Sequence, residues 1–315
     1  MTIEFKLAER LAGRNALTAL VGRQLSTSPK HAGFLSRRFS AASEAELEQC
    51  DSIAAQILRL AEGQLDEFVS GYDFICDIQK TEEIYFRRNG SYRLKTVQQA
   101  IDEVYSNRPY MQSYMRGLLM TQVFWANHTA SMDFYVNEFL AKNRKGYDLL
   151  EIGPGHGLLF SRAAADPNAG SVTGWDLSPA SVAETREALA KLGTRREYSL
   201  EVRDLFKADT ASASFDAIVF SEVLEHLEAP EQALRAILAL LRPGGRAYIN
   251  VPINSPAPDH VFLLRSPEDA VSLVERQGFG IERIGLFPAT NYSLEAARKH
   301  ALTVSVCLVA TRPTT

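Results

Sequence analysis

The chain has 315 residues, 46% of them hydrophobic and 23% charged, enough for one large domain or two moderate ones. A formal net charge of −4 argues against nucleic acid or an anionic membrane surface as partner. No run of about 18 apolar residues occurs, so no membrane span is expected.

Charged residues Glu4, Lys6, Glu9 and Arg10 interrupt the apolar N-terminus, so no signal peptide is expected. Cys50, Cys76 and Cys307 are scattered without a CxxC, which predicts free buried thiols in a cytoplasmic protein and no structural zinc.

Residues 1 to about 145 read as helical. Glu44 to Leu60 and Gln64 to Phe86 carry apolar residues at helical spacing. Thr96 to Tyr105 predicts a shorter helix, stopped before Arg108-Pro109 because the residue preceding proline resists the α region. Gly33, Gly63 and Asn89-Gly90 are expected breaks. Tyr110 to Leu140 is unusual in holding Trp125, Phe134, Tyr135 and other aromatics, four methionines, and the polar group Asn127, His128, Thr129 and Ser131. It reads either as aromatic helices buried against a neighbouring domain or as a lid over a ligand; one face of each helix can serve each purpose.

From Gly146 strands and helices alternate, which predicts a doubly wound, mostly parallel sheet. The expected strands are Tyr147–Ile152, Ser171–Asp176, Tyr198–Val202, Phe215–Phe220, Arg246–Val251, Ile281–Phe287 and Leu302–Ala310. No full-length crossover helix separates the last two, so they are expected to pair antiparallel. Ser178-Pro179 and Ser266-Pro267-Glu268-Asp269 start helices, and Arg242-Pro243-Gly244-Gly245 reads as a turn.

The first strand runs into Leu149-Leu150-Glu151-Ile152-Gly153-Pro154-Gly155-His156-Gly157. Its glycines let the chain turn sharply and let a ligand approach the backbone. The dinucleotide fingerprint G-x-G-x-x-G is not met, since the third glycine falls one place early. Asp176 ends the second strand, where a carboxylate can grip two ribose hydroxyls, and Asp204 ends the third, where a side chain can accept from an adenine amino group. With VTGWDLSPASV (172–182), EVRDLF (201–206), FDAIVFSEVLEHLEAPEQAL (215–234) and LLRPGGRAYINVP (240–252), the chain resembles the class I S-adenosylmethionine-dependent methyltransferases. The likeness is nearest to the small-molecule enzymes of the ubiquinone-biosynthesis-like group and spans about 145 to 310.

That resemblance implies a Rossmann-like seven-stranded sheet with an antiparallel last strand, residues 146–315 as the S-adenosylmethionine-binding domain, and residues 1–145 as an all-helical cap. It implies that Glu151, Gly153 and Gly155 approach the methionine part of the cofactor and Asp176, with Leu177, the ribose. Asp204 and Leu205 would approach adenine, and Ser221 and Glu222 the methionine side. Trp125 or Tyr135 facing a sulfonium would add a cation–π attraction of about 0.5–2 kcal/mol. His226 is a candidate base near the reacting edge, and His260 lies in the proline-rich loop Pro252 to Arg265 that overhangs the substrate side. His128, His226, His260 and His300 are read as separate residues and no metal ligand is assigned, the alternative being that two or three of them converge on a metal, as in enzymes that methylate 2-oxo acids; His31 and His156 are read as structural or exposed.

The expected reaction is methyl transfer to a small acceptor, free or carrier-tethered, in a water-excluded pocket. A second enzyme reading is a cyclase in which the cofactor's own amine closes an azetidine ring and releases methylthioadenosine, with Trp125, Asn127, Ser131 and Tyr135 on the pocket wall. A third, a non-catalytic cofactor-binding scaffold, predicts a damaged glycine loop or a lost Asp176, and both are intact.

Overall fold

The computed structural model describes residues 3–208 and 214–314; the ends of the two expected domain ranges, 1–2 and 315, lie outside the described residues. Strands β1 (Tyr147–Ile152), β2 (Ala169–Asp176), β3 (Ser199–Val202), β4 (Phe215–Ser221), β5 (Leu241–Ile253), β6 (Gly280–Pro288) and β7 (Val304–Thr311) form one sheet in the order β3-β2-β1-β4-β5-β7-β6. The first five pair in parallel, and β7 inserts antiparallel between β5 and β6. Strand order reverses between β1 and β4, so the crevice at their carboxyl ends is the ligand position of an open α/β sheet.

Both faces of the sheet are covered, which is why the central strands read as nearly unbroken apolar runs. Alternate side chains point to opposite faces. Leu150, Ile218 and Ile249 pack under helices α11 (Pro230–Leu240) and α12 (Pro267–Glu275), with α13 (Leu294–Lys299) beside them. Leu149, Ala217, Val219 and Tyr248 pack under α9 (Leu158–Ala165), α10 (Pro179–Leu192) and the aromatic residues Tyr135 and Phe139.

Ser178 and Ser266 cap α10 and α12 as expected. The expected turn 242–245 is corrected: β5 begins at Leu241, paired with Phe215, and the irregularity lies within the strand as a register shift before Ala217 meets Arg246.

Before Gly146 the described chain is helical: α1 (Ile3–Arg10), α2 (Asn15–Thr27), α3 (Ala32–Ser40), α4 (Glu44–Leu60), α5 (Leu65–Asn89), α6 (Val97–Ala100), α7 (Arg108–Phe124) and α8 (Ala126–Phe134). Helix α6 runs on as a π turn to Tyr105, and α8 as another from Tyr135 to Phe139. The helix ends at Tyr105, before Arg108-Pro109, as expected, but Arg108 is itself helical: Pro109 stands in the first turn of α7, where its missing N–H has no intrahelical partner anyway, and Asn107 is the cap. Helices α5 and α7 cross at Gly71 and Gly117 with almost no gap. A Cβ on Gly71 would stand 2.8 Å from the Ser113 carbonyl oxygen and 2.9 Å from the Gly117 nitrogen. The helical core includes Leu158 of α9, so the helical layer is seated on the α/β part.

Candidate active site

The glycine loop leaves β1 with Gly153 and Gly155 at φ +69° and +50°. The Gly153 N–H donates to Trp175 O at 2.8 Å, and a Cβ there would lie 3.2 Å from Val223 Cγ2. Glu151 is buried at the end of β1, its Oε2 has no partner, and burial pushes its carboxyl well above the usual range. An orphaned buried carboxylate beside backbone that only glycine takes easily is a cradle waiting for a polar group.

Along the same edge, Asp176 Oδ1 accepts from the Ser178 N–H at 2.8 Å, and Asp204 Oδ1 from the Phe206 N–H at 2.9 Å. Burial raises the Asp176 carboxyl, with the turn's hydrogen bonds opposing. Leu177 is 67% exposed and Phe206 49%, two large apolar side chains uncovered at the cofactor end. The Leu205 side chain belongs to the core shared by Trp175 and Leu224, and Phe206 is its uncovered neighbour. Ser221 accepts from Asn250 Nδ2 at 3.2 Å. Glu222 adopts φ +54°, rare for a residue with a Cβ and a form of strain that concentrates at functional sites.

Beyond Glu222 opens a cavity of about 550 Å³ between the helical part and the sheet edge made by the carboxyl ends of β4, β5 and β6 and the amino end of β7. Trp125 and Asn127 line it, as expected of the lid segment, with Tyr72, Cys76 and Gln79 of α5 opposite. Trp125 breaks the helix between α7 and α8 with an extended backbone and packs edge-on against His128 at 5.1 Å. Asn127 Nδ2 donates to Ser305 Oγ at 3.1 Å, tying α8 to β7. His128 also lines the cavity, and burial, with His156 of the glycine loop second, pushes it down to about 4.

Two expected wall residues are not there. Tyr135 is fully buried, stacked on Phe139 and tilted against Tyr248, and the Ser131 hydroxyl donates to Asn127 O at 2.8 Å. His31, read as structural or exposed, lines the cavity with its Nε2 2.7 Å from Asp73 Oδ1. Of the thiols, Cys50 and Cys307 are buried as expected, while Cys76 is half-buried on the cavity wall.

The expectation of separate histidines is corrected for one pair. His226 and His260 lie 4.9 Å apart, ring to ring, and with Glu225 bring three ligand-type atoms within 4.8 Å of one another. His226 does not border the cavity; its Nδ1 sits 3.1 Å from Asp259 O and 3.2 Å from Tyr105 Oη. His300 is exposed at the end of α13. Loop 252–265 is pinned by Val261 and Phe262 N–H donating to Glu225 O at 2.9 and 3.0 Å, and by Gln79 Nε2 donating to Pro256 O at 2.8 Å. Among the described residues no helix is long and apolar enough to cross a membrane.

Residues 150–247 match the family model described as "Methyltransferase domain". The chain is 36% identical over 113 residues to the ubiquinone biosynthesis O-methyltransferase of Xanthomonas axonopodis pv. citri, covering 36% of this chain and 46% of that protein. It is 33% identical over 132 residues to the enzyme of the same name from Aromatoleum aromaticum, covering 42% and 54%. The chain thus spans about half the length of the curated relatives it matches. Among solved structures, the [4+2]-cyclase SpnF aligns at a TM-score of 0.49 and 21% identity over 60% of this chain and 82% of that one.

The matched segment runs from β1 into β5 and contains the glycine loop, Asp176, Asp204 and Glu222, the residues that line the carboxyl edge of the sheet. Residues 150–247 thus carry a methyltransferase domain of the class I S-adenosylmethionine-dependent kind, whose cofactor is S-adenosylmethionine.

Proposed function

We propose that this protein is a methyltransferase acting on a small acceptor, free or carrier-tethered, bound in the cavity beyond Glu222, with the helical part, residues 1–145, serving as its cap. The observation that carries the reading is the cavity itself. Its volume of about 550 Å³ suits a drug-sized ligand, and it lies next to the residue that joins it to the cofactor edge. When bound, S-adenosylmethionine supplies an electrophilic methyl carbon on a sulfonium.

The chain's own residues supply position and dryness. Glu151 and the backbone of Gly153 and Gly155 hold the amino-acid end, while Asp176 holds the ribose and Asp204 the adenine. Leu177 and Phe206 cover the base. Trp125 gives the acceptor a flat apolar wall, and Asn127, fixed by Ser305, a hydrogen-bonding point. Glu222 and His128 are the cavity groups able to take an acceptor's proton. The cations at the mouth are paired: Lys30 lies 3.7 Å from Asp73, and Lys80 3.3 Å from Asp77. The acceptor is therefore chosen by shape and aromatic contact rather than by net charge.

The cyclase reading is weaker, because it calls for no room beyond the cofactor, and Ser131 and Tyr135, which it placed on the wall, do not line the cavity. Both readings are tested by incubating the protein with S-adenosylmethionine, alone and with a panel of small aromatic hydroxyl and amine acceptors. S-adenosylhomocysteine appearing only with a small acceptor supports the transferase. Methylthioadenosine from cofactor alone would establish the cyclase, and turnover with tRNA or histone but no small molecule would overturn the small-acceptor reading.

A further inference from the structure

We propose that His31, oriented by Asp73, is a specificity-determining residue that accepts a hydrogen bond from a hydroxyl or N–H group at the end of the acceptor remote from the methylated atom. Such an acceptor is a flat aromatic molecule with polar groups at both ends. This contact rests on the small-acceptor methyltransferase reading of the cavity and narrows its substrate class.

His31 ends the turn Pro29–His31 between α2 and α3, and Asp73 belongs to α5. His31 is only 8% exposed, and the void it borders is the acceptor cavity. Its Nε2 lies 2.7 Å from Asp73 Oδ1. Asp73 also accepts from the Ser28 hydroxyl and from Gln24 Nε2 at 3.2 Å, with Lys30 at 3.7 Å. Burial works to raise the Asp73 carboxyl, but the bonds from Ser28 and His31 outweigh it and hold it below the usual range. An ionised carboxylate can only accept, so the proton of the neutral His31 ring sits on Nε2 and Nδ1 carries a lone pair. Nδ1 has no hydrogen-bond partner among the described residues and is not sealed in by protein atoms, so it opens onto the cavity.

Tyr72 lies tilted against the His31 ring at 5.1 Å and edge-on to Phe124 at 4.8 Å, beside Trp125. His31, Tyr72 and Trp125 line the helical side of the cavity, whereas Glu222, Pro252 and Ser305 mark the sheet edge. The methyl group arrives from that edge. A flat molecule lying along the aromatic wall therefore presents one end to the cofactor and the other to His31. Neighbouring polar groups are committed to the protein: Gln79 Nε2 donates to Pro256 O at 2.8 Å, and His128 Nδ1 lies 2.9 Å from Thr121 Oγ1. A neutral imidazole whose far nitrogen is held by a carboxylate is polarised into a better acceptor, and its orientation is fixed. It attracts a donor and offers nothing to a carbonyl oxygen. An acceptor without the distal donor would leave Nδ1 unpaired once the cavity is dry, which is how a polar site rejects a truncated substrate. Both His31 and Asp73 lie outside residues 150–247, so this selectivity belongs to the helical part of the chain.

The test uses the full chain saturated with S-adenosylhomocysteine and two pairs of probes that differ by one distal hydroxyl. These are 4,4′-dihydroxybiphenyl against 4-hydroxybiphenyl, and 2,6-dihydroxynaphthalene against 2-naphthol, with dissociation constants from calorimetry. In at least one pair the diol should bind about tenfold more tightly. In His31→Gln the amide can still reach Asp73 but no atom replaces Nδ1, and the preference should fall to about twofold, the statistical advantage of two equivalent ends. Asp73→Asn offers Nε2 an amide donor, which moves the ring proton to Nδ1, so it should cost the preference as well. Each variant must bind S-adenosylhomocysteine within about twofold of wild type, which separates loss of the contact from loss of the fold. Histidine ¹⁵N spectra of the wild type at about pH 8 should show His31 Nδ1 unprotonated. If a variant fails the control, the other variant and these spectra decide. A preference absent from the wild type, or surviving in variants that pass the control, would overturn the role of His31, as would a proton on Nδ1. No binding of any of the four probes at about 1 mM would overturn the acceptor class. A His31-dependent preference without methyl transfer to any acceptor would leave the contact standing and sink the methyltransferase reading instead.

Discussion

Replacing Asp176 by alanine tests how the cofactor edge is organised. Asp176 closes β2 with its Oδ1 accepting from the Ser178 N–H at 2.8 Å. Ser178 is the cap of α10, so the substitution removes a turn bond as well as a ligand contact. The turn bond is worth about 0.5–1.5 kcal/mol of stability, whereas a charge-assisted bond to ribose hydroxyls is worth about 1.5–3 kcal/mol of affinity. The expected rise in the dissociation constant for S-adenosylhomocysteine is thus roughly 10- to 150-fold. Calorimetry measures it, and urea denaturation of the free protein measures the turn term separately. Asp176→Asn keeps an acceptor for Ser178 but not the charge, so it should recover stability while remaining weaker in binding. Affinity unchanged in a folded Asp176→Ala protein would mean that the ribose is held elsewhere.

Three further outcomes are expected. Gly71→Ala places a methyl group 2.8 Å from backbone oxygen at the α5–α7 crossing, an overpacking cost of about 1–3 kcal/mol. This exceeds the ~1 kcal/mol that alanine gains in a helix, so the urea midpoint should fall; a rise would refute the crossing. Trp125→Ala should raise the KM of an identified acceptor roughly tenfold or more, while S-adenosylhomocysteine affinity stays within about twofold, since an aromatic wall residue contacts only one ligand; equal loss in both would move Trp125 to the cofactor. Burial holds His128 and His156 near pKa 4, so between about pH 6.5 and 4 the unfolded chain binds more protons than the folded one. Stability should therefore fall with acidification by up to about 1.4 kcal/mol per pH unit per histidine, and a His128→Gln, His156→Gln double variant should flatten that slope in denaturation series; an unaltered slope would contradict the burial.

The strands were legible because a sheet covered on both faces demands apolar runs, and the cofactor edge because its residues end consecutive strands. Tyr147–Ile152 was read to the residue, and Asp176 and Asp204 stand where the pattern put them. The start of β5 was not legible, since Pro243-Gly244-Gly245 looks like a turn whether or not the strand continues through it. The lid segment was half legible: aromatic residues at helical spacing do not say which face is core, and Tyr135 went to the core while Trp125 went to the cavity. Tyr72, Cys76 and Gln79 recur at helical spacing on α5 and were indistinguishable from a core stripe. His226 and His260 are joined only by the path of the loop 252–265, held by the Glu225 carbonyl, which local pattern does not encode.

The account's central claim is that one ligand lies across the sheet edge and faces an acceptor cavity. A crystal structure with S-adenosylhomocysteine tests it most directly. The account predicts adenosine between Asp176 and Asp204, the amino-acid end at Glu151 and the glycine loop, and the sulfur directed past Glu222 toward Trp125. A ligand whose sulfur points away from that cavity, or one that fills the cavity itself, would contradict it.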